Sequence, residues 1–284
     1  MRGRQETIVV PVDFSKSSMV AMSLGVEISR LLKGRLLLLH VFRYLPQHKY
    51  AVPVEWMVSE LRHRAKRQLN LFRGRISRAG VPVETLLLET TGDPAVEIIR
   101  AAEKQLSPIL VLGTHSRTGL DRFLIGSTAE EVLRCSKCPV ITVSPQVTPY
   151  WHRHIQNILL ATDLTERSLA PLTLLRSLWS PESRLVVLHV ASPDSRIMDS
   201  SWEYPIRERL NALFGEIEVR TKVEFRHVVH AEISKAIHET TVALKTDLVA
   251  MGIHPAKALT SHSRPRTGFQ IIMSVPCAVL SVCE

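Results

Sequence analysis

Long apolar runs are missing from this sequence: the run from Leu36 to Phe42 is only seven residues long and includes His40. A helix needs about 20 consecutive apolar residues to span a bilayer, so no membrane segment is predicted. The N-terminus is charged and leads straight into a strand-like segment, without the apolar region of a signal peptide. We therefore expect a cytoplasmic protein that has no membrane partner.

Cysteine is also scarce, with four residues in a chain of 284, which excludes a disulfide scaffold. Cys135 and Cys138 form a single C-x-x-C, and no second one completes a tetrahedral zinc site. Cys135 falls at the end of a helical pattern, whereas a redox thiolate is stabilised at a helix N-terminus. The sequence therefore predicts neither a metal site nor a catalytic residue.

Aromatic residues make up 5% of the chain, and they do not alternate with basic residues as in a single-strand binder, so nucleic-acid binding is not predicted. The net charge of +9 is uneven. Residues 1–148 carry 21 Lys and Arg against 13 Asp and Glu, whereas residues 149–284 carry 15 against 14. An anionic ligand would therefore be attracted mainly to the first half.

The sequence repeats itself, with four matches in the same order in both halves. They pair Ile8–Ser15 with Ile158–Thr165, Leu36–Val41 with Leu185–Val190, Leu110–His115 with Leu248–His254, and Cys138–Val143 with Cys277–Val282. The offsets are 150, 149, 139 and 139 residues, measured at Asp13, His40, Gly113 and Cys138. This regularity indicates a duplication, with one domain at 1–148 and a second at 149–284.

Each copy alternates strands and helices. Buried strands are predicted over Thr7–Val12, Arg35–Val41, Pro82–Leu88, Ile109–Leu112 and Val140–Val143, and helices begin after Ser15, over Glu55–Arg78, over Asp93–Gln105 and near Ser127–Arg134. This order predicts an α/β fold: two tandem doubly wound, mostly parallel five-stranded sheets with helices on both faces. Ligands of such Rossmann-like sheets bind beyond the carboxyl ends of the strands.

The loop after the fourth strand carries the clearest chemical pattern. Gly113-Thr-His-Ser116 is followed, after nine residues, by Gly126-Ser127-Thr128 at the start of a helix. Glycine permits close approach of backbone amides to phosphate oxygens, and a helix N-terminus presents unpaired amides and the positive end of its dipole. Arg117 could add a charge-assisted hydrogen bond. The same spacing also suits an N-capped helix after a glycine-containing loop, so it does not decide alone.

The stretch from Gly113 through Cys138-Pro-Val, together with Val10-Pro-Val-Asp13-Phe-Ser, His40-Val41 and Gly92-Asp-Pro94, resembles the universal stress protein family. The resemblance covers both halves. It implies an α/β domain of the adenine nucleotide alpha hydrolase-like kind, often paired through its last strand. In one branch of the family it also implies ATP bound at the strand ends, with magnesium as an optional companion.

By that resemblance, Asp13 would bind the ribose, Pro11 and Val12 would line the base, and the backbone of Val41 would meet the adenine edge. Leu112 and Gly113 would lie along the ribose and phosphates, and Gly126, Ser127 and Thr128 would hold the outer phosphates. Ser116 stands where the family's G-x-x-G has its second glycine. If that position needs a positive φ, serine costs about 1 kcal/mol or more.

The second copy departs further from the motif. Pro255 replaces the second glycine, and Pro265 and Arg266 replace Gly-Ser, although Asp163 is retained. Proline lacks an N–H, so this copy is predicted to bind no nucleotide through its phosphates and to pack against the first copy as a partner. For the chain we expect an ATP-binding stress-response protein with slow or no turnover. A nucleotide-free interaction module, a slow ATPase, and a dimer of whole chains remain alternatives.

Overall fold

The structure is a computed structural model that describes residues 5–44, 54–114, 125–144, 155–194, 200–253 and 267–283. Across these ranges, no helix combines the length and apolar character needed to cross a membrane. Ser116, Arg117, Pro255, Pro265 and Arg266 lie outside the described residues.

Five strands are described in each half. The first half contains β1 (Thr7–Pro11), β2 (Arg35–Arg43), β3 (Val83–Thr90), β4 (Pro108–Gly113) and β5 (Val140–Val143). The second half contains β6 (Asn157–Thr162), β7 (Arg184–Ala191), β8 (Val223–Val229), β9 (Leu248–Ile253) and β10 (Ala278–Cys283).

Helices connect these strands. The first half has α1 (Lys16–Leu31), α2 (Val54–Arg78), α3 (Pro94–Glu103) and α4 (Ser127–Cys135). The second half has α5 (Leu172–Leu178), α6 (Glu203–Phe214), α7 (Glu216–Lys222), α8 (Ile233–Ala243) and α9 (Thr267–Ser274), with short 3-10 turns at Glu166–Leu169 and Ser200–Trp202.

All ten strands form one sheet in the order β3-β2-β1-β4-β5-β10-β9-β6-β7-β8. Within each half the neighbouring strands are parallel. The halves meet where β5 and β10 pair antiparallel, with Ile141 opposite Leu280. The predicted α/β fold with mostly parallel, doubly wound halves is confirmed, and the two sheets are joined through their last strands.

The core lies on both faces of the sheet, as buried parallel strands require. On one face, fully buried strand residues such as Ile8 and Leu38 pack with Leu24 of α1. On the other face, Val9 and Leu39 pack with helices α3 and α4, including Val132. Burying one such aliphatic side chain contributes about 1.5–3 kcal/mol, so both helical layers are held to the strands.

Local signals set the helix starts in the first half. The side chain of Ser15 accepts a hydrogen bond from the amide of Ser18 and caps α1. Asp93 caps α3 in the same way, and Pro94 occupies its first turn. The strand and helix bounds predicted for this half agree with the structure to within about two residues, which is the usual uncertainty of element ends.

The second half departs from the first in two helices. The counterpart of α1 is broken into the turn Glu166–Leu169 and the short helix α5, because Pro171 cannot donate the hydrogen bond that a continuous helix needs. The counterpart of α2 is divided into α6 and α7 at Gly215, whose φ of 90° is accessible mainly to glycine. The order of strands is unchanged by these breaks.

Candidate functional site

The strand order places a cleft in the first half. From β1 the chain continues outward through β2 and β3, and then returns to the other side of β1 with β4 and β5. The connections at the carboxyl ends of β1 and β4 therefore diverge and leave a crevice. The structure contains a cavity of about 490 Å³ at this point, within the roughly 300–1,000 Å³ typical of small-molecule sites.

Nine of the eleven residues predicted to bind nucleotide line this cavity. They are Pro11, Val12, Asp13, Val41, Leu112, Gly113, Gly126, Ser127 and Thr128. The other two, Ser116 and Arg117, fall outside the described residues. The structure thus brings the described candidates to one place, and their roles toward a ligand stay a prediction.

Asp13 is held by the turn that follows β1. Its Oδ1 accepts a hydrogen bond of 3.0 Å from the amide of Ser15, and its own amide donates to the hydroxyl of Ser18 at 3.3 Å. The intervening Phe14 has a φ of 64°, in the left-handed region that residues other than glycine, asparagine and aspartate rarely adopt. Such strain persists where the surroundings fix it, so the turn holds the carboxyl group at the mouth of the cavity.

His40 supports the same strand end from the neighbouring strand. Its Nδ1 lies 2.6 Å from the carbonyl oxygen of Val12, and its ring centroid is 4.6 Å from that of Phe14. In the second half, His189 Nδ1 lies 3.0 Å from the carbonyl oxygen of Thr162. These equivalent histidines therefore contact a backbone carbonyl oxygen at the end of the first strand of each half.

The first turn of α4 forms another part of the cavity wall. Gly126 is its N-cap, and none of the described side chains caps this end of the helix. The amides of the first turn and the positive end of the helix dipole therefore face the cavity region together with the hydroxyls of Ser127 and Thr128. Such a helix start favours an anionic group of a ligand.

Gly113 has a packing reason to be glycine. A Cβ atom at this position would lie 2.4 Å from both the carbonyl carbon and oxygen of Ser17. Backbone atoms cannot move aside as a flexible side chain can, so the start of α1 packs against β4 only because Gly113 lacks a side chain. The sequence prediction gave this glycine a role in approach to phosphate; the structure gives it a role in helix-strand packing as well.

Several lining residues escaped the sequence prediction. They are Ser17, Ser18, Pro94, Ile98, Ile125 and Ala129. Ser17 and Ser18 follow Asp13 in the first turn of α1, and Pro94 starts α3 beyond the carboxyl end of β3. Their position after strand ends was a usable signal, because every such end in a parallel sheet meets the same edge.

A second cavity, of about 360 Å³, lies at the corresponding strand ends of the second half. Asp163 and Gly252 occupy the places of Asp13 and Gly113, and a Cβ at Gly252 would lie 2.0 Å from the carbonyl oxygen of Arg167. Leu164, which follows Asp163, repeats the left-handed conformation with a φ of 69°. The architecture of the crevice is therefore retained in both copies.

The Asp163 carboxylate is ionised at neutral pH. Burial alone would raise its pKa, but hydrogen bonds from the hydroxyl and amide of Thr165 and from Ser168 together lower that pKa below its ordinary value. The two bonds from Thr165 to Oδ1 measure 2.6 and 3.1 Å. A negative charge is thus fixed at the mouth of the second cavity.

All four cysteine thiols have raised pKa values. Cys138 and Cys277 are buried, and burial raises the pKa of the Cys277 thiol to about 12. Burial, followed by a hydrogen bond to Glu131, also raises the pKa of the exposed Cys135. Raised pKa values disfavour the thiolate form that redox and metal chemistry need. No group of three potential metal ligands occurs within the described ranges.

Two doubly wound halves, joined through their last strands and each with a crevice at its switch point, define a tandem α/β protein. The sequence profile of the Universal stress protein family matches residues 5–144. A universal stress protein of Methanocaldococcus jannaschii is 33% identical over 138 residues, which are 48% of this chain and 80% of that protein. The chain belongs to the universal stress protein family.

Solved structures extend the comparison to the second half. A universal stress protein from Archaeoglobus fulgidus matches 98% of this chain and 98% of its own, with a TM-score of 0.77 and 20% identity. This likeness shows that the tandem fold is shared over the full length. A universal stress protein in complex with cAMP is 20% identical, with a TM-score of 0.37, over 46% of this chain and 98% of that one.

Proposed function

We propose that this chain binds ATP in the crevice of its first half, residues 1–148, and acts as a stress-response regulator whose second half, residues 149–284, is a partner with a degenerate phosphate loop. The observation that carries the proposal is the start of α4, which no described side chain caps and which lines the same cavity as Asp13. A helix start suits phosphates, and a carboxylate suits the hydroxyls of a ribose.

The charge and shape of the first half support this ligand. Residues 1–148 hold most of the excess positive charge, which attracts a polyanion. Pro11, Val12 and Val41 offer apolar contacts for a base, and Ser127 and Thr128 line the same cavity. In this arrangement the base, ribose and phosphates would follow the strand ends in order from β2 to β4 and α4.

We propose binding with slow or no turnover. Phosphoryl transfer normally uses a carboxylate that holds a metal ion and a further residue that orients the nucleophile. Asp13 is the carboxylate among the described residues that line the cavity, and its Oδ1 accepts a hydrogen bond from the amide of Ser15. Its proposed role toward the ribose leaves no described carboxylate of the cavity for a metal.

The second half contributes a surface rather than a nucleotide site in this proposal. Its strand β10 pairs with β5 and covers the edge that the first half would otherwise expose. An unpaired edge would attract other strands, so this pairing protects the first half. One subunit of a family dimer would serve its twin in the same way.

The test begins with native purification, denaturation and chromatography of any released adenine nucleotide. Saturating Mg-ATP, at roughly a hundredfold excess over its dissociation constant, should stabilise the folded chain by about 2.7 kcal/mol. Gly126→Asp places a carboxylate against the phosphates and should abolish the shift. Gly74→Asp adds the same charge on α2, where a side chain meets no atom within 4 Å, and should keep it.

Two results would redirect the assignment. No released nucleotide and no thermal shift in the unmodified chain would favour the nucleotide-free interaction module. Steady-state phosphate release that survives Asp13→Ala but is lost in Ser127→Ala would indicate an ATPase instead of a binding protein.

A further inference from the structure

The cavity of the second half has a different lining from that of the first. Its walls consist largely of aliphatic and aromatic side chains, namely Leu133, Leu188, Val190, Ile233, Ile237, Met251, Ile253, Phe269, Ile271 and Ile272. Apolar surface left uncovered in a concave site is uncommon unless a ligand or partner uses it. Of these ten residues, Ile233, Ile253 and Phe269 are exposed or partly exposed, whereas the other seven belong to the buried core.

Position-by-position comparison shows where the apolar character arises. Helices α3 and α8 begin with Pro94 and Ile233, respectively, and the offset of 139 residues places Phe269 at the position of Glu130. Glu130 is exposed and forms an ion pair with Arg134, whereas Phe269 lines the second cavity. Glu130 does not line the first cavity, so the second cavity gains an aromatic side chain that the first lacks at this position.

One wall of the second cavity comes from the first half. Leu133 and Arg134, near the end of α4, line it together with residues of α8 and α9. No residue of the second half is among those that line the first cavity within the described ranges. The second crevice is therefore completed by its neighbour, whereas the first is built from its own residues.

We propose that the second crevice binds a small molecule with a mainly apolar body and one hydrogen-bond donor, a hydroxyl or an amine, which contacts the Asp163 carboxylate. The apolar walls accommodate the body of the molecule, and the carboxylate fixed at the strand end accepts the hydrogen bond of the donor. A cavity of about 360 Å³ suits a molecule of the size of two or three fused or linked rings. This site goes beyond the proposed nucleotide function and does not depend on it.

The probe for the test is N-phenyl-1-naphthylamine, a neutral apolar fluorophore with one N–H donor. Added to the full chain, it should give saturable, blue-shifted fluorescence with one site per chain. Ile233→Glu puts a carboxylate into the apolar wall, and because Ile233 is 39% exposed at the start of α8, the fold should tolerate it. The dissociation constant should rise at least about tenfold in this variant, because the charge must be desolvated against the probe.

Val242→Glu is the matched control, since it makes the same kind of change on the same helix at a residue that is 53% exposed and does not line the cavity. Its affinity for the probe should equal that of the unmodified chain. Gly268→Leu fills the cavity without adding charge, because a Cβ at Gly268 makes only ordinary contacts, at 3.4 Å to Ile253 and 3.8 Å to Met251. Gly268→Leu should also raise the dissociation constant of the probe.

Absence of saturable binding in the unmodified chain would overturn the proposal, as would an equal loss in Ile233→Glu and Val242→Glu. If Mg-ATP displaced the probe and Ile233→Glu bound the probe as tightly as the unmodified chain, the probe would lie in the first crevice. This result would also overturn the proposal. Gly126→Asp should bind the probe as the unmodified chain does, whether or not it binds ATP. Failure of this proposal can therefore be distinguished from failure of the nucleotide proposal.

Discussion

Replacing Gly113 by alanine tests whether packing or phosphate approach demands glycine at the end of β4. The added Cβ would lie 2.4 Å from the carbonyl carbon and oxygen of Ser17 and 2.8 Å from the amide nitrogen of Ser18. Overpacking of a core costs about 1–3 kcal/mol, and rigid backbone neighbours favour the upper end of that range. We therefore expect Gly113→Ala to lower the free energy of unfolding by about 3 kcal/mol.

The corresponding change in melting temperature follows from the size of the chain. With 284 residues and about 2.1 cal/mol/K per residue, the entropy of unfolding is about 0.6 kcal/mol/K for a transition of the whole chain. A loss of about 3 kcal/mol then lowers the melting temperature by about 5 °C. Calorimetry or a fluorescence melt without nucleotide measures this shift.

Gly74→Ala is the control, because a Cβ there meets no atom within 4 Å and the residue lies inside α2. The same substitution should raise stability by about 0.5–1 kcal/mol, since alanine favours a helix over glycine. If Gly113→Ala melts within about 1 °C of the unmodified chain, the packing argument is wrong. A loss seen only in the presence of Mg-ATP would instead assign the glycine to phosphate approach.

Three further predictions concern carboxylates and thiols. Asp13→Asn should weaken ATP binding by about tenfold or more in calorimetric titration, because a hydrogen bond to a charged acceptor is lost. Asp163→Asn should leave ATP affinity unchanged. Equal effects of the two substitutions would contradict the assignment of ATP to the first half. Iodoacetamide at about pH 8 should label the exposed Cys135 in the native chain but spare Cys277, whose buried thiol has its pKa raised to about 12. Mass spectrometry measures the labelling, and a Cys277 adduct formed in the native chain would disprove this prediction. The lowered folded-state pKa of Asp163 adds stability above the unfolded pKa of about 3.9, and this is lost as the pH falls through the folded value. In denaturant titrations, Asp163→Asn should therefore be less stable than the unmodified chain at about pH 6 and equal to it well below both pKa values, and a deficit that persists in strong acid would refute this.

Local rules explain why much of the fold was predictable. Ser15 and Asp93 are standard helix caps, and the apolar run Val140–Val143 can only be a short buried strand in this context. The strand ends that carry Asp13 and Gly113 then follow from the order of elements. The loop residues Gly113, Gly126, Ser127 and Thr128 were accessible for this reason, whereas the other described candidates came from the resemblance to the family.

Contacts between distant segments were not accessible in the same way. The approach of Gly113 to Ser17 depends on how α1 packs against β4, which no local pattern encodes. The contribution of Leu133 to the second cavity depends on the joining of the halves through β5 and β10. The apolar lining of that cavity also depends on which side of α9 turns inward, so Phe269 could not be assigned to it from spacing alone.

The joined sheet leaves β3 and β8 as its outer strands, and both carry charged residues that engage partners beside them. Glu84 and Glu89 of β3 pair with Arg35 and Arg62, and Arg226 of β8 pairs with Glu224. A foreign strand adding at either border would have to desolvate these ions. Growth of the sheet is therefore disfavoured at both ends.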